Sequence, residues 1–136
     1  AYRARLQGET CVQVRDAAVS HMGYASSARR SQFATYHGAR NRFWTFFKNT
    51  PLLLLPVLAP IHLAVTGLLW LSAARFGQFT LFARALGDAL KGWPGLMAKR
   101  REVQASRRLS ALKTASMMSW NPINLLTRAP DVRPRR

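Results

Sequence analysis

From Asn49 to Ala74 the chain runs 26 residues, NTPLLLLPVLAPIHLAVTGLLWLSAA, with no Asp, Glu, Lys or Arg, inside a protein of net charge +16. About 20 apolar residues in a helix cover the roughly 30 Å hydrocarbon core of a bilayer. The run therefore either enters a membrane or forms the core helix of a soluble domain. Basic residues flank it on both sides, with Arg40, Arg42 and Lys48 before it and Arg75 and Arg84 after it. Cations at both ends of an apolar run are the pattern of a chain seated on anionic lipid with its apolar part inserted. Pro56 and Pro60 fall in its first half. Each removes a backbone donor and crowds the preceding turn, which argues against one straight helix. A kinked span and a re-entrant hairpin that breaks near the two prolines both fit. The positive-inside rule does not choose between them, because both flanks are basic.

The charge is uneven. Residues 1–50 hold 8 basic and 2 acidic side chains, and residues 75–136 hold 13 and 3. The second part calls for an anionic partner: phospholipid head groups, nucleic acid or an acidic protein. A length of 136 residues allows one domain at most. The first residue is Ala, and AYRARLQG reads as a helix end that stops on Gly8. The expectation is the C-terminal part of a longer protein. The single cysteine, Cys11, excludes an internal disulfide and a multi-cysteine zinc site. In TCVQV it reads as a small apolar residue of a strand.

Along the chain, residues 10–14 and 17–20 read as two short strands with Arg15-Asp16 as the turn, and HMGYASSA (21–28) as a loop. Residues 30–48 read as a helix with an aromatic face that includes Tyr36, Phe43, Trp44 and Phe47. Over residues 76–90, Phe76, Phe79, Phe82, Leu86 and Leu90 recur at spacings of three and four, with Arg84, Asp88 and Lys91 between them. That is the composition of an interfacial amphipathic helix. GWPG (92–95) breaks it, and residues 96–113 read as a second, strongly basic helix. The Pro-punctuated residues 121–136 read as a disordered tail.

Three stretches carry a family likeness. They are YRARLQG followed by CVQV (2–14), AVSH with Ser26-Ser27 (18–27), and Tyr36-His37-Gly38-Ala39-Arg40-Asn41. In order and spacing they resemble the end of the catalytic domain of bacterial family 2 glycosyltransferases, the rhamnosyltransferase kind. The basic stretch 96–108 is similar to that family's tail. The resemblance implies a GT-A fold, a nucleotide-sugar donor, a divalent metal (Mg or Mn), and an inverting transfer in which a carboxylate acts as general base on an acceptor hydroxyl. The acidic motifs that would supply base and metal ligands are not in this chain, so by itself it is expected to be inactive.

On that resemblance, His21 is the candidate metal or diphosphate ligand, although imidazole suits Mg and Mn less well than carboxylate does. Tyr36, Arg40 and Asn41 are candidates for the phosphates of donor or acceptor, since an arginine can grip a phosphate with two parallel bonds. Tyr36 and Arg40, four apart, share a helix face. Ser26 and Ser27 would close over the donor. His37 and His62 have no second metal-type side chain at helical spacing and are not read as ligands.

The expected fold is mainly α. Residues 1–49 form the residual α/β end of a GT-A domain. Residues 50–75 form a transmembrane or re-entrant segment, residues 76–120 basic amphipathic helices on the membrane surface, and residues 121–136 a tail. The expected activity is sugar transfer from a nucleotide sugar to a lipid-linked or polysaccharide acceptor in cell-surface glycan synthesis. The expected place is the cytoplasmic face of a bacterial inner membrane, with anionic lipid and no nucleic acid as partner. The rival is a non-enzymatic basic protein, bound to membrane or RNA. The uncharged run beside an aromatic amphipathic helix favours the membrane.

Overall fold

The structure is a computed structural model that describes residues 2–12, 14, 17 and 31–120. Six α-helices form among them: α1 (Tyr2–Leu6), α2 (Gln32–Asn49), α3 (Leu55–Ala74), α4 (Phe79–Lys91), α5 (Trp93–Ala105) and α6 (Ala111–Ser116). A 3-10 turn, Leu52–Leu54, leads into α3. The protein is mainly helical, as expected. Among the described residues there is no strand. Residues 10–12 and 14, read above as strand, are irregular, and Val12 and Val14 are exposed. Two short strands cannot hold together in water without a sheet to join, and no sheet is offered here. The second expected strand lies outside the described residues except for Ala17.

α2 is the central element and packs most closely on α4 and α5. Its start is fixed by Ser31, whose side-chain oxygen accepts from the Ala34 N–H at 3.1 Å, an N-cap that satisfies one orphan donor. The close fit of α2 on α4 comes from small residues. Ala85 and Ala89 are 0% exposed and form a row with Phe82. Ala39, Ala73, Phe82 and Ala85 make one core cluster, with Trp70 and Tyr36 packed against it. Farther along α2, Phe43 and Phe47 meet Trp93 of α5, with ring centroids 6.1 and 5.3 Å away. The amphipathic reading of α4 holds in part: Phe82 is buried and Leu86 packs on the core as expected, whereas Phe76, Phe79 and Leu90 are exposed and Ala85 and Ala89 fill the inward face.

The end of α2 is closed from α5. Arg100 Nη1 donates to the carbonyls of Phe47 and, at 2.8 Å, Thr50, and Gln104 Nε2 donates to those of Lys48 and Asn49 at 3.2 Å each. Residues four apart on one helix thus satisfy the orphan carbonyls of another, and the guanidinium also complements the negative end of its dipole. α1 docks beside them. Leu6 is buried, its carbonyl accepts from the N–H groups of Arg108 and Leu109, and Arg3 Nε donates to Asn49 Oδ1 at 3.2 Å.

α3 is continuous through Pro60, so the break that a re-entrant hairpin needs does not occur. Pro56 falls in the first turn, where an N–H has no helical partner anyway. Pro60 therefore costs a single ladder bond, the one to the Pro56 carbonyl. Both α1 and α3 stop on a glycine in the left-handed region, Gly8 (φ 91°) and Gly77 (φ 66°). In each case the next residue's N–H reaches back five residues, Glu9 to Ala4 and Gln78 to Ala73, at 3.0 Å. This is the Schellman closure, a conformation that glycine adopts without a Cβ penalty. The basic stretch 96–113 is two helices and not one. α5 ends at Ala105, and Ser110 caps α6 by accepting from the Lys113 N–H at 3.1 Å.

Candidate functional site

α3 is built inside out. The residues it turns toward the protein include His62 and Thr66, 9% and 7% exposed, together with Ala73. The side chains it turns outward are Leu, Ile and Val: Val57, Ile61, Leu63, Leu68 and Leu71 are all more than half exposed. With Leu52 and Leu53 ahead of it, the uncharged helical stretch Leu52–Ala74 is long and apolar enough to cross a membrane, and most of its residues are not buried within the protein. A core helix of a soluble domain has the opposite polarity, because burying leucine and solvating threonine is what folding in water rewards. An outward apolar face this long marks a surface made for lipid or for another apolar partner.

The inward polar face is only partly satisfied. Thr66 Oγ1 donates to the His62 carbonyl at 2.7 Å. The His62 ring stacks on Phe46 at 4.0 Å, nearly parallel, with its Nε2 buried and unpaired among the described residues.

On the other side of α2 lies a basic and aromatic cluster. The Tyr36 hydroxyl donates to Asp88 Oδ2 at 2.7 Å, and Lys91 and Arg84 stand 3.5 and 4.0 Å from the same carboxylate. The bond from Tyr36 is the main cause that holds the Asp88 carboxyl below its ordinary value. Desolvation opposes it, and the Lys91 and Arg84 charges assist. The Arg40 guanidinium lies over the rings of Tyr36 and Trp44, 5.4 and 4.7 Å from their centroids, and its Nη2 meets His37 Nδ1 at 3.1 Å. Trp44 is fixed in turn by its Nε1–H bond to the Ala89 carbonyl at 3.0 Å. Tyr36 and Arg40 do share a face, and Asn41 is exposed beside them, touching Arg40 Nε at 3.4 Å. This cluster is a set of side chains stacked on one another with an open surface. His21, Ser26 and Ser27 lie outside the described residues, so nothing brings them to Tyr36, Arg40 and Asn41 here. Among the described residues no three His, Cys, Asp or Glu side chains come together as metal ligands.

A third feature is electrostatic. Burial first, then the charges of Arg3 and Lys99, holds Lys48 below its usual value. Three cations thus crowd the end of α2, and Arg100 beside them is lowered by burial as well. Among the described residues the ion pairs are those of Asp88.

Sequence reasoning missed Arg100 and Gln104 as the closure of α2, and Asp88 as the partner of Tyr36. It set His62 aside without using it. The signal for His62 was present: His62 and Thr66 are four apart in an otherwise apolar run, and a polar pair at helical spacing marks the face turned to protein. Comparison with protein-family models, curated proteins and solved structures gave no match. The glycosyltransferase likeness stands on its motifs alone.

Proposed function

We propose that the chain is the C-terminal segment of a membrane-associated glycosyltransferase, in which α3 holds the catalytic domain at the cytoplasmic face of the membrane. The observation that carries the membrane part is the inverted polarity of α3. The order of the motifs between Tyr2 and Asn41 supports the transferase part. A nucleotide sugar is soluble and a lipid-linked acceptor lies at the interface, so fixing the enzyme there raises the acceptor's effective concentration. The active transferase would use a carboxylate base and a metal-binding acidic motif supplied from outside this chain.

α3 lies in the plane of one leaflet in this reading and does not cross. α2 runs back along it, with Phe46 on His62 and Ala39 clustered with Ala73. A crossing α3 would carry Arg40, Arg42 and Lys48 of α2 toward the bilayer centre, at roughly 2.5–3.5 kcal/mol each on insertion scales. An in-plane helix sunk about 5–10 Å into the boundary between head groups and chains keeps those cations among phosphates. The exposed cations Lys99 and Arg101 then attract anionic lipid, each worth about 1 kcal/mol close to the surface.

Two measurements test this. Membrane fractions carrying the parent protein are washed with high salt and then with detergent. Release by detergent alone is expected, and release by salt alone would favour the rival nucleic-acid reading. The parent protein is then assayed for transfer from radiolabelled nucleotide sugars to a membrane lipid extract, and absence of transfer with every donor would overturn the enzyme reading.

A further inference from the structure

Between α2 and the second half of α3 lies an open groove of about 430 Å³. Its size falls in the range of ligand pockets, roughly 300–1,000 Å³. The walls are low because the residues along them are small: Ala34, Gly38 and Ala39 on one side, Ser72 and Ala73 on the other. Leu69 and Phe76 form the apolar rim, 41% and 47% exposed, continuous with the outward face of α3. Arg42 is the one ionisable side chain in the lining. Its Nε is buried and has no hydrogen-bond partner among the described residues. Burial pushes the guanidinium below its ordinary value, as expected of a cation with no counter-charge beside it. One turn farther along the same face of α2, Phe46 stacks on His62, whose Nε2 is the other unpaired buried polar atom between these two helices. His62 itself does not line the groove; the group an anionic occupant would meet there is the Arg42 guanidinium, and the lining holds no carboxylate to pair with it.

We propose that the groove binds one anionic membrane lipid, its phosphate on Arg42 and its chain leaving over Leu69 and Phe76. The chemistry of a guanidinium suits any phosphate. The apolar rim selects a phosphate that already carries a chain, because the approach to Arg42 runs over side chains that lie in lipid. Gly38 offers an independent handle: it lines the groove and a Cβ there meets nothing within 4 Å, so a larger side chain starts out into open space. The site rests on α3 lying in lipid and not on the transferase reading.

The test uses the full chain purified in detergent after exposure to phosphatidylcholine vesicles with or without phosphatidylglycerol, with retained lipid counted by native mass spectrometry. The wild type retains one phosphatidylglycerol per chain in preference to phosphatidylcholine. Arg42→Gln and Gly38→Leu each lower retention at least tenfold. Arg84→Gln, which removes the same charge from an exposed position, leaves it unchanged. Equal losses in Arg42→Gln and Arg84→Gln would reduce the effect to general attraction and overturn the site. Release of the lipid by inorganic phosphate would overturn it too, by showing a site for free phosphate. Helix content measured by circular dichroism separates loss of the lipid from loss of fold, and Gly38→Leu keeps the test open if Arg42→Gln does not fold. Binding of the wild type to pure phosphatidylcholine vesicles reports on α3 alone. If that binding fails, the membrane reading falls; if it holds while retention ignores Arg42, only the groove does.

Discussion

α3 and α4 both pack beside α2, yet they obey opposite rules. α4 puts Phe82, Ala85 and Ala89 inside and leaves Arg84 and Lys91 in water. α3 puts His62, Thr66 and Ala73 inside and leaves leucines outside. α4 is sorted by water. The pattern of α3 is the one expected in a medium where leucine is the cheap surface and a hydroxyl needs a partner. The two helices thus present surfaces of opposite character, and that difference is what supports the proposed membrane side.

The comparison can be broken most directly by charge. Leu68→Lys, on the outward face of α3, is expected to weaken vesicle binding by on the order of 2–3 kcal/mol, roughly 30- to 150-fold. Leu90→Lys, equally exposed but on α4, is expected to stay within about 0.5 kcal/mol. Vesicle co-sedimentation reads both, and equal effects would erase the distinction. Packing gives the next contrast. Ala85→Leu, in the closed row between α4 and α2, is expected to lower unfolding stability by about 1–3 kcal/mol through overpacking. Ala64→Leu, on the exposed side of α3, should leave the melting temperature unchanged and strengthen vesicle binding.

Two smaller effects sharpen the water-sorted half. Arg100→Ala leaves the carbonyls of Phe47 and Thr50 without their donor and is expected to cost about 1–2 kcal/mol in denaturant unfolding, with Gln104 still covering its own pair. The smallest effect is Tyr36→Phe, which removes the main cause of the lowered Asp88 carboxyl. A carboxyl lowered in the folded state adds stability that is present above its unfolded value and lost as the pH falls through the folded one. The variant should therefore be slightly less stable than wild type at neutral pH and converge with it only as the pH falls through the lowered Asp88 value, below the ordinary carboxylate range. A deficit that persists unchanged at low pH would show that the bond to Asp88 is not what Tyr36 contributes.

Much of this was legible in the sequence. The bounds of α2, the stop at Gly8, the break after Lys91 and the pairing of Tyr36 with Arg40 all follow from local rules of capping and helical spacing. The faces were harder. Leu, Ile and Phe announce themselves, so α4 was read by its large residues, whereas its contact is set by alanines that let α2 come close. The two prolines allow a kink or a re-entrant break in sequence, and the helix instead continues because a proline's cost depends on its place in the turn and Pro56 takes the free position. The division of 96–113 into α5 and α6 turns on Ser110 as a cap, a role a serine plays only if the chain before it has left the helix. Arg42 could not be singled out from sequence, since its unpaired Nε exists only where α2 and α3 meet. The transferase motifs remain a matter of order and spacing, and their two loop serines and His21 fall outside the described residues.

The most direct test of the central claim is a depth profile of α3. Spin labels are placed at Val57→Cys, Ile61→Cys, Leu68→Cys and Leu71→Cys, which share one face of the helix, in a Cys11→Ser background. Their accessibility to oxygen and to a water-soluble nickel chelate is then measured in vesicles containing phosphatidylglycerol, with Arg84→Cys as the water-facing reference. The account predicts high oxygen and low nickel accessibility at all four positions, at one shared depth about 5–10 Å below the head groups. Nickel accessibility equal to that at Arg84→Cys would contradict a lipid-facing α3. A depth that runs through the bilayer centre to the far side would contradict its in-plane placement.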